Sequence, residues 1–496
     1  MKMVKSLILG SAAGLLAMSG AQAADLPVKA KAVEYVRICS LYGAGFYYIP
    51  GTDTCIKLGG FLRVDVIAGG NTDFAPNLGG AGGARNRLSN DYATRARQDL
   101  TIDTRTATEY GVLRTFAELV FSWSGGSYTG SSPSAYAGDG IGGGQFGIYN
   151  AFIQFAGFTM GRTYSIFDTP WQSYPAGGPD TLPGGGNHVT GVNTLIYTAD
   201  FGQGISGSLA AQDQQAYDTT NVYNLSGATA AGMITGVYGA NDIGGTPSPD
   251  LLGSIRVDQA WGLAQVAAVA HDNHAAYYGP TEIFGHPDDK WGFAVMAALS
   301  IKNIPTGPGD TINMQAVYTD GASRYNFQSL FPSALAMYGG TGLAGAYQSL
   351  AIAGVSDTVF TTGSGQESVT TWGFRGGYTH NWNPYWASAI YGAYAELRYG
   401  SLGQAAICAN MVTLLGFAGT CNPNFNYGAL GFNTIWTPVK NFAFTADVTW
   451  GQLDQKNSGT ISGPGTFAAG AAKPAAVYQL KSENSVTMLL RAQRNF

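Results

Sequence analysis

Between Thr94 and Thr106 the chain reads TRARQDLTIDTRT. Along an extended strand, alternate side chains point to opposite faces. One face here carries Arg95, Arg97, Asp99, Thr101, Asp103 and Arg105; the other carries Ala96, Gln98, Leu100, Ile102 and Thr104. The same period returns in FAFTADVTW, where Phe442, Phe444, Ala446, Val448 and Trp450 oppose Ala443, Thr445, Asp447 and Thr449. In KLGGFLRVDVI, Leu58, Leu62, Val64 and Val66 oppose Lys57, Arg63 and Asp65. In SVTMLLRAQRNF, Val486, Met488, Leu490 and Ala492 oppose Thr487, Arg491 and Gln493. Charged residues make up only 11% of the chain, as in membrane proteins. Yet after the N-terminal segment no apolar run approaches the ~20 residues a spanning helix needs. Strands can cross a bilayer only as a closed barrel, because lipid satisfies no backbone hydrogen bonds.

Sixteen segments fit this pattern, starting near Ile56, Arg95, Gly111, Phe146, Phe158, Thr194, Ile205, Gly253, Leu263, Lys290, Asp310, Val369, Trp386, Phe425, Phe442 and Val486. The segment near Gly253 is the least regular. Short links alternate with long Gly-, Ser-, Pro- and Asn-rich stretches, among them Gly69–Tyr92, Asp168–Val192, Asp320–Ser368 and Gly400–Asn424. Loops that long are uncommon in compact soluble domains. An antiparallel sixteen-stranded transmembrane β-barrel has short turns on one rim and long loops on the other, and is wide enough to leave an aqueous channel. The charged face of Thr94–Thr106 then lines water, and its other face meets lipid or a neighbouring subunit.

The first residues have a different purpose. Lys2 and Lys5, the apolar run Leu7 to Met18 and the sequence Ala21-Gln22-Ala23 form a secretory signal peptide cut before Ala24. This divides the chain into a signal at 1–23, an N-terminal arm at 24–55 and a barrel at 56–496. Cleavage takes the formal charge from −5 to −7, since two lysines are lost and 24 basic residues face 31 acidic ones. Scattered arginines on an acidic chain argue against nucleic-acid binding. Two close pairs of cysteines, Cys39 with Cys55 and Cys408 with Cys421, suggest local disulfides in an exported protein, although four cysteines allow three connectivities. Neither Cys-x-x-Cys spacing nor a nearby histidine supports a metal, and no cofactor motif is present.

Several stretches closely resemble the general porins of alphaproteobacteria, the rhizobial type: EYVRICSLYGAGFYYIPGTDTCIKLGG, AFIQFAGFTMGRTYSIFD, RVDQAWG, YTDGAS and WTPVKN, with the terminal Phe496. The resemblance spans nearly the whole mature chain. It implies a homotrimer in the bacterial outer membrane, in contact with lipid and lipopolysaccharide, that passes small hydrophilic solutes by diffusion. Phe496 resembles the signal read by the outer-membrane assembly machinery. The resemblance further implies that the third long loop, Asp168–Val192, folds inward to narrow the pore. Its carboxylates, Asp168 and Asp180, would face an arginine cluster drawn from Arg63, Arg95, Arg97, Arg114 and Arg162. Opposed fixed charges in a slot create a transverse field that orients polar solutes. The other reading spreads these arginines along the lumen or pairs them with acids at a subunit interface.

Arg162 divides the two kinds of argument. Alternation puts it with Phe158, Met160 and Tyr164 on the lipid side, where a charge is expensive; the resemblance makes it a lumen residue and turns Thr159, Gly161, Thr163 and Ser165 toward another subunit. The resemblance is followed here. GGAGGAR and GPDTLPGGGNHV read as flexible loop tips, because neither has the setting of a phosphate-binding loop. His271 and His274 in HDNH read as a solvated loop edge. Tyr47-Tyr48, Tyr277-Tyr278 and Tyr385-Trp386 suit interfacial aromatic girdles. Cys39–Cys55 would tie the arm to the first strand, and Cys408–Cys421 would pin the seventh loop.

Other functions fit less well. A channel selective for sugars or anions would call for a longer run of aromatics or arginines than Arg95, Arg97 and Arg105 provide. An outer-membrane enzyme needs a catalytic constellation, and five scattered histidines supply none. A secreted β-rich binding protein would not need detergent.

Overall fold

The computed structural model describes residues 37–69, 86–87, 92–125, 144–171, 182–186, 191–214, 219–328, 331–465 and 473–496. The signal peptide lies outside them. Two units are described separately, one ending at Cys55 and one beginning at Ile56.

The second unit is built on sixteen strands. They are β1 (Cys55–Gly69), β2 (Tyr92–Thr108), β3 (Gly111–Gly125), β4 (Gly144–Phe155), β5 (Phe158–Thr163), β6 (Val192–Gly202), β7 (Ile205–Gln212) and β8 (Asp250–Gln259). There follow β9 (Gly262–Asn273), β10 (Lys290–Lys302), β11 (Thr311–Asp320), β12 (Thr370–Asn383), β13 (Trp386–Arg398), β14 (Phe425–Val439), β15 (Phe442–Gln455) and β16 (Glu483–Asn495). Each segment read from the alternation corresponds to one of them; the irregular one near Gly253 starts at Asp250. Neighbours pair antiparallel, as in Arg105↔Arg114 and Met314↔Gly376. β16 returns to β1 with Phe61↔Asn495 through Gly69↔Thr487, which closes the barrel and leaves it no free edge.

The pleat sorts the side chains. Leu62, Val64 and Val66, Phe444, Val448 and Trp450, and Val486, Met488 and Leu490 are exposed on the outer wall, while Asp65, Thr445, Asp447 and Thr487 on the alternate positions are buried. Turns at the short-linked rim use residues that tolerate positive φ, including Asn303 and Asn441. At Gly204 (φ +76°) a Cβ would lie 2.0 Å from the Asp258 carbonyl oxygen, so only glycine fits. The Lys302–Gly309 link is held by Asp310, whose carboxylate accepts from Thr306, Tyr378, His380 and the Asn381 amide at 2.7–3.0 Å. Trp386, Trp436 and Phe444 stack outside the same rim, as an aromatic girdle should.

The long loops fold further than their composition suggests. Segments Ala334–Gly339, Gln348–Gly354, Ala476–Leu480, Ser458–Gly463 and Ala418–Thr420 make a five-stranded sheet. Asn221–Asn224, Ala240–Asn241, Ser356–Phe360 and Glu367–Ser368 make a four-stranded one. Helix α1, Ser401–Leu415, packs Ile407, Met411 and Leu415 into an apolar core shared with Tyr223, Ile234, Tyr238, Met337 and Ile352. It contains no charged residue, and the Glu367 carboxylate caps its N-terminus through the Leu402 and Gly403 amides (3.1 and 2.8 Å). Cys408 and Cys421 form the expected disulfide at its side.

In the first unit, Cys39 and Cys55 are bonded and buried with Phe46. Tyr42 meets Phe46 edge-on at 5.9 Å, and Cys39 N–H donates to the Phe46 carbonyl.

Candidate pore constriction

The charged face of β2 sits between β1 and β3, and the register fixes what each charge meets. Asp65 on β1 is fully buried between two arginines: Arg95 on β2 at 2.8 Å and Arg491 on β16 at 2.6 Å. Asp103 is shared between Arg105 (3.0 Å) and Arg114 on β3 (2.9 Å), and Arg114 also donates to Gln154 on β4. Arg63 donates to Gln493 at 2.8 Å, and Arg97 donates to Ser122 at 2.9 Å with the Tyr149 ring 5.8 Å away. Arg63, Arg95, Arg97 and Arg114 therefore do share one face of three adjacent strands. Arg491 completes the wall, and sequence reasoning missed it because the first and last strands become neighbours only on closure. Among the described residues, the six arginines, counting Arg105 and Arg491, outnumber the four carboxylates that stand between them: Asp65, Asp99, Asp103 and Glu118.

The third long loop leaves β5 and runs along a different part of the inner wall. Gln265 on β9 donates to the carbonyls of Ile166 and Asp168 (3.1 and 3.0 Å), and Phe167 packs edge-on against Tyr325 at 4.8 Å. β9 is the ninth of sixteen strands, so Asp168 is held opposite β1. Farther along, Leu182 to Gly186 are buried. Arg375 on β12, itself 2% exposed, donates to the Leu182 and Gly186 carbonyls and to Gln315 on β11. Gly184 accepts no side chain, because a Cβ would lie 2.5 Å from the Phe374 carbonyl group. The described part of GPDTLPGGGNHV is thus pinned to the wall and is not a flexible tip: its glycines permit backbone contact that any side chain would block. Asp180 and GGAGGAR fall outside the described residues.

Known proteins resemble this chain in sequence and in fold. The porin subfamily profile matches residues 25–489. The chain belongs to the porin family. It is 30% identical over 356 residues to porin Omp2a of Brucella ovis, an alignment covering 64% of this chain and 98% of that porin. It is 34% identical over 272 residues to porin Omp2b of Brucella suis, covering 54% and 66% respectively. Among solved structures, the outer membrane channel DcaP of Acinetobacter baumannii matches with a TM-score of 0.56 at 17% identity, over 90% of this chain and 99% of that one; this likeness concerns the fold. The protein is an outer-membrane porin that forms a water-filled channel, and none of its described helices is long and apolar enough to cross a membrane.

Two site residues of this porin stand elsewhere than the sequence reading put them. Arg162 follows the alternation. It shares its face with Phe158 and Met160, both exposed on the outer wall, and lies opposite Ala151 and Asn193. With Asn193 it lines an outer hollow of about 600 Å³ beside Phe146 and Ile148. Thr159 takes the inward side, where Gln154 donates to it. His271 is no solvated edge. It is fully buried, 2.8 Å from Asp250 and 3.8 Å from Asp357, beneath the loop sheets. Burial pushes the Asp357 carboxyl up, against the pull of His271 and of the Thr220 and Ser323 amides that donate to it. Only His274, 2.7 Å from Asp289, is partly open to water. Among the described residues no group of His, Cys, Asp and Glu could hold a metal ion.

Proposed function

We propose that this porin is a trimeric general-diffusion channel whose narrowest part lies between the arginine wall of β1–β3 and β16 and the third loop. The observation that supports this is the hold of the loop backbone on the inner wall, at Ile166 and Asp168 by Gln265 on β9 and at Leu182 and Gly186 by Arg375 on β12, on strands far round the ladder from the arginine wall. A solute entering such a slot crosses a transverse field, which favours polar molecules that reorient with it. The surplus of arginine over carboxylate in the wall offsets the acidic net charge of the chain, so selectivity between small anions and cations is weak. Binding and diffusion account for all of these groups, and no catalytic role is assigned to any. Phe496 follows β16, its amide donating to the Gly60 carbonyl, and serves as the assembly signal.

The test is single-channel conductance of the purified protein in a planar bilayer, with the reversal potential read under a salt gradient. Steps in groups of three, proportional to bulk salt, are the expected result. Correctly inserted protein that conducts nothing would overturn the reading. Replacing Phe496 should slow assembly into heat-modifiable oligomers without altering the conductance of those that form.

A further inference from the structure

Part of the inner wall does not face water. Leu252 on β8, Met296 on β10 and Val317 on β11 alternate with the exposed, outward Leu251, Val295 and Tyr318, so they point into the barrel. Yet they are buried in one apolar cluster with Phe167 of the third long loop and Tyr325 of the sixth, the link between β11 and β12. Farther round, Ala393 on β13 and Tyr427 on β14 are buried with Phe327 and Phe331 of that same sixth loop. A barrel wall that meets a water-filled lumen is polar, as it is along β1–β3. On these other strands the wall is apolar and covered by chain.

The segment Ser323–Gln328 provides much of that cover. The Tyr325 hydroxyl donates to Asp250 on β8 and accepts from Gln212 on β7 at 2.9 Å, and Asn326 donates to Thr371 on β12 at 2.9 Å. The Phe327 ring lies 5.7 Å from Phe425 on β14, and Phe331 meets Tyr427 edge-on at 5.1 Å. Gln212 ends β7, Asp250 begins β8, and Thr371 and Phe425 stand at the start of β12 and β14, so the segment lies in the mouth of the barrel at the long-loop rim. There it grips the third loop. The Gly184 and Gly185 amides donate to the Asn326 carbonyl at 2.9 and 3.2 Å, and Gly184 also donates to Asn326 Oδ1 at 3.1 Å. Gln328 donates to the Leu182 carbonyl at 3.0 Å. Arg375, deeper along β12, holds the Leu182 and Gly186 carbonyls of the same stretch.

We propose that the sixth loop is a second pore-narrowing element. Tyr325, Asn326 and Phe327 fill the mouth beside β7, β8, β12 and β14 and hold the third loop in place, which leaves solutes a path along the arginine wall of β1–β3 and β16. The inference rests on the channel reading above. These three are positioning residues, acting on the pore through the third loop. The size limit of the channel is then set by the gap beside two interlocked loops and not by the diameter of the barrel.

The experiment is single-channel recording of the full-length protein in planar bilayers, with polyethylene glycols of graded size added to find the largest that enters. Wild type, Tyr325→Phe, Asn326→Ala, Phe327→Ala and Phe327→Leu are compared, each first shown to be folded by its heat-modifiable migration. Tyr325→Phe and Asn326→Ala remove side-chain hydrogen bonds without touching the strand ladder. Excursions to a wider, more conductive state should become about fivefold more frequent for each bond lost. Phe327→Ala should admit larger polymers, and Phe327→Leu, which keeps the apolar bulk, should restore the wild-type limit. Glu367→Gln loosens the start of α1 in the loop core and should leave conductance and limit as they are. An equal widening in Glu367→Gln would reduce the effect to general loosening and overturn the proposal. Wild-type conductance and polymer limit in both Tyr325→Phe and Asn326→Ala would overturn it as well, refuting the part of the sixth loop alone. Wild-type protein that inserts and never conducts refutes the channel reading.

Discussion

At the scale of single residues, the arginines of the wall have separable roles. Arg95 is 5% exposed and joins Arg491 in neutralising a fully buried Asp65. Replacing it with glutamine leaves that carboxylate under-compensated, and breaking a buried pair costs about 3–5 kcal/mol. Arg97 is only half-buried and donates to the Ser122 hydroxyl. Arg97→Gln should therefore shift the reversal potential toward cations with little loss of stability, whereas Arg95→Gln should lower the unfolding temperature of the extracted protein more than it shifts selectivity. Equal thermal losses in both variants would contradict this division. At the short-linked rim, Asp310 gives a pH-dependent contact. Burial pushes its carboxyl up, but Thr306, Asn381, His380 and Tyr378 outweigh this and hold it well below the usual value of 3.8. A depressed carboxylate stabilises above its ordinary pKa and loses that contribution as the pH falls through the lower, folded value. Hydrogen exchange in residues 303–310 should stay slow at neutral pH and speed up only in strong acid. Asp310→Asn should exchange fast at both.

Elements show a second pattern, in which order inside the long loops depends on partners distant in sequence. Arg375 holds the inward loop through two carbonyls, and bonds to a charged donor contribute roughly 1.5–3 kcal/mol each. Arg375→Met should free that loop, raising single-channel conductance and its noise; unchanged conductance would show that Leu182–Gly186 do not narrow the pore. Helix α1 has Glu367 at its start and the Cys408–Cys421 disulfide at its side, with a sequence separation of 13. Closing a loop of that length contributes about 3 kcal/mol by chain entropy. Replacing both cysteines with serine should expose residues 401–421 to proteolysis while the barrel keeps its resistance to heat, because the strand ladder is closed independently of the loop core. Barrel and loops melting together would contradict that separation.

For the whole molecule, legibility followed the range of the interaction. The sixteen strands could be read because their signal is local: a side chain's face depends on its parity, and lipid outside with water inside makes parity visible as alternation. Even Arg162 obeyed it, and the family likeness misled. The disulfide pairs were legible from spacing, and the arginine wall from Arg95 and Arg97 two residues apart on one strand. Arg491 beside Asp65, the anchoring of Asp168 on β9, and the burial of His271 between Asp250 and Asp357 were not legible. Each joins residues whose neighbourhood exists only once the ring closes and the loops fold over it. The loop core was hidden for a related reason, since glycine- and serine-rich segments carry little periodicity and borrow their apolar partners from one another. By itself, then, the sequence determined a closed barrel, its inside and its outside, because those follow from chain parity and solvent. Tertiary structure alone decided which charges neutralise one another along the inner wall and where the inward loop is held, because contacts between strands depend on closure and register.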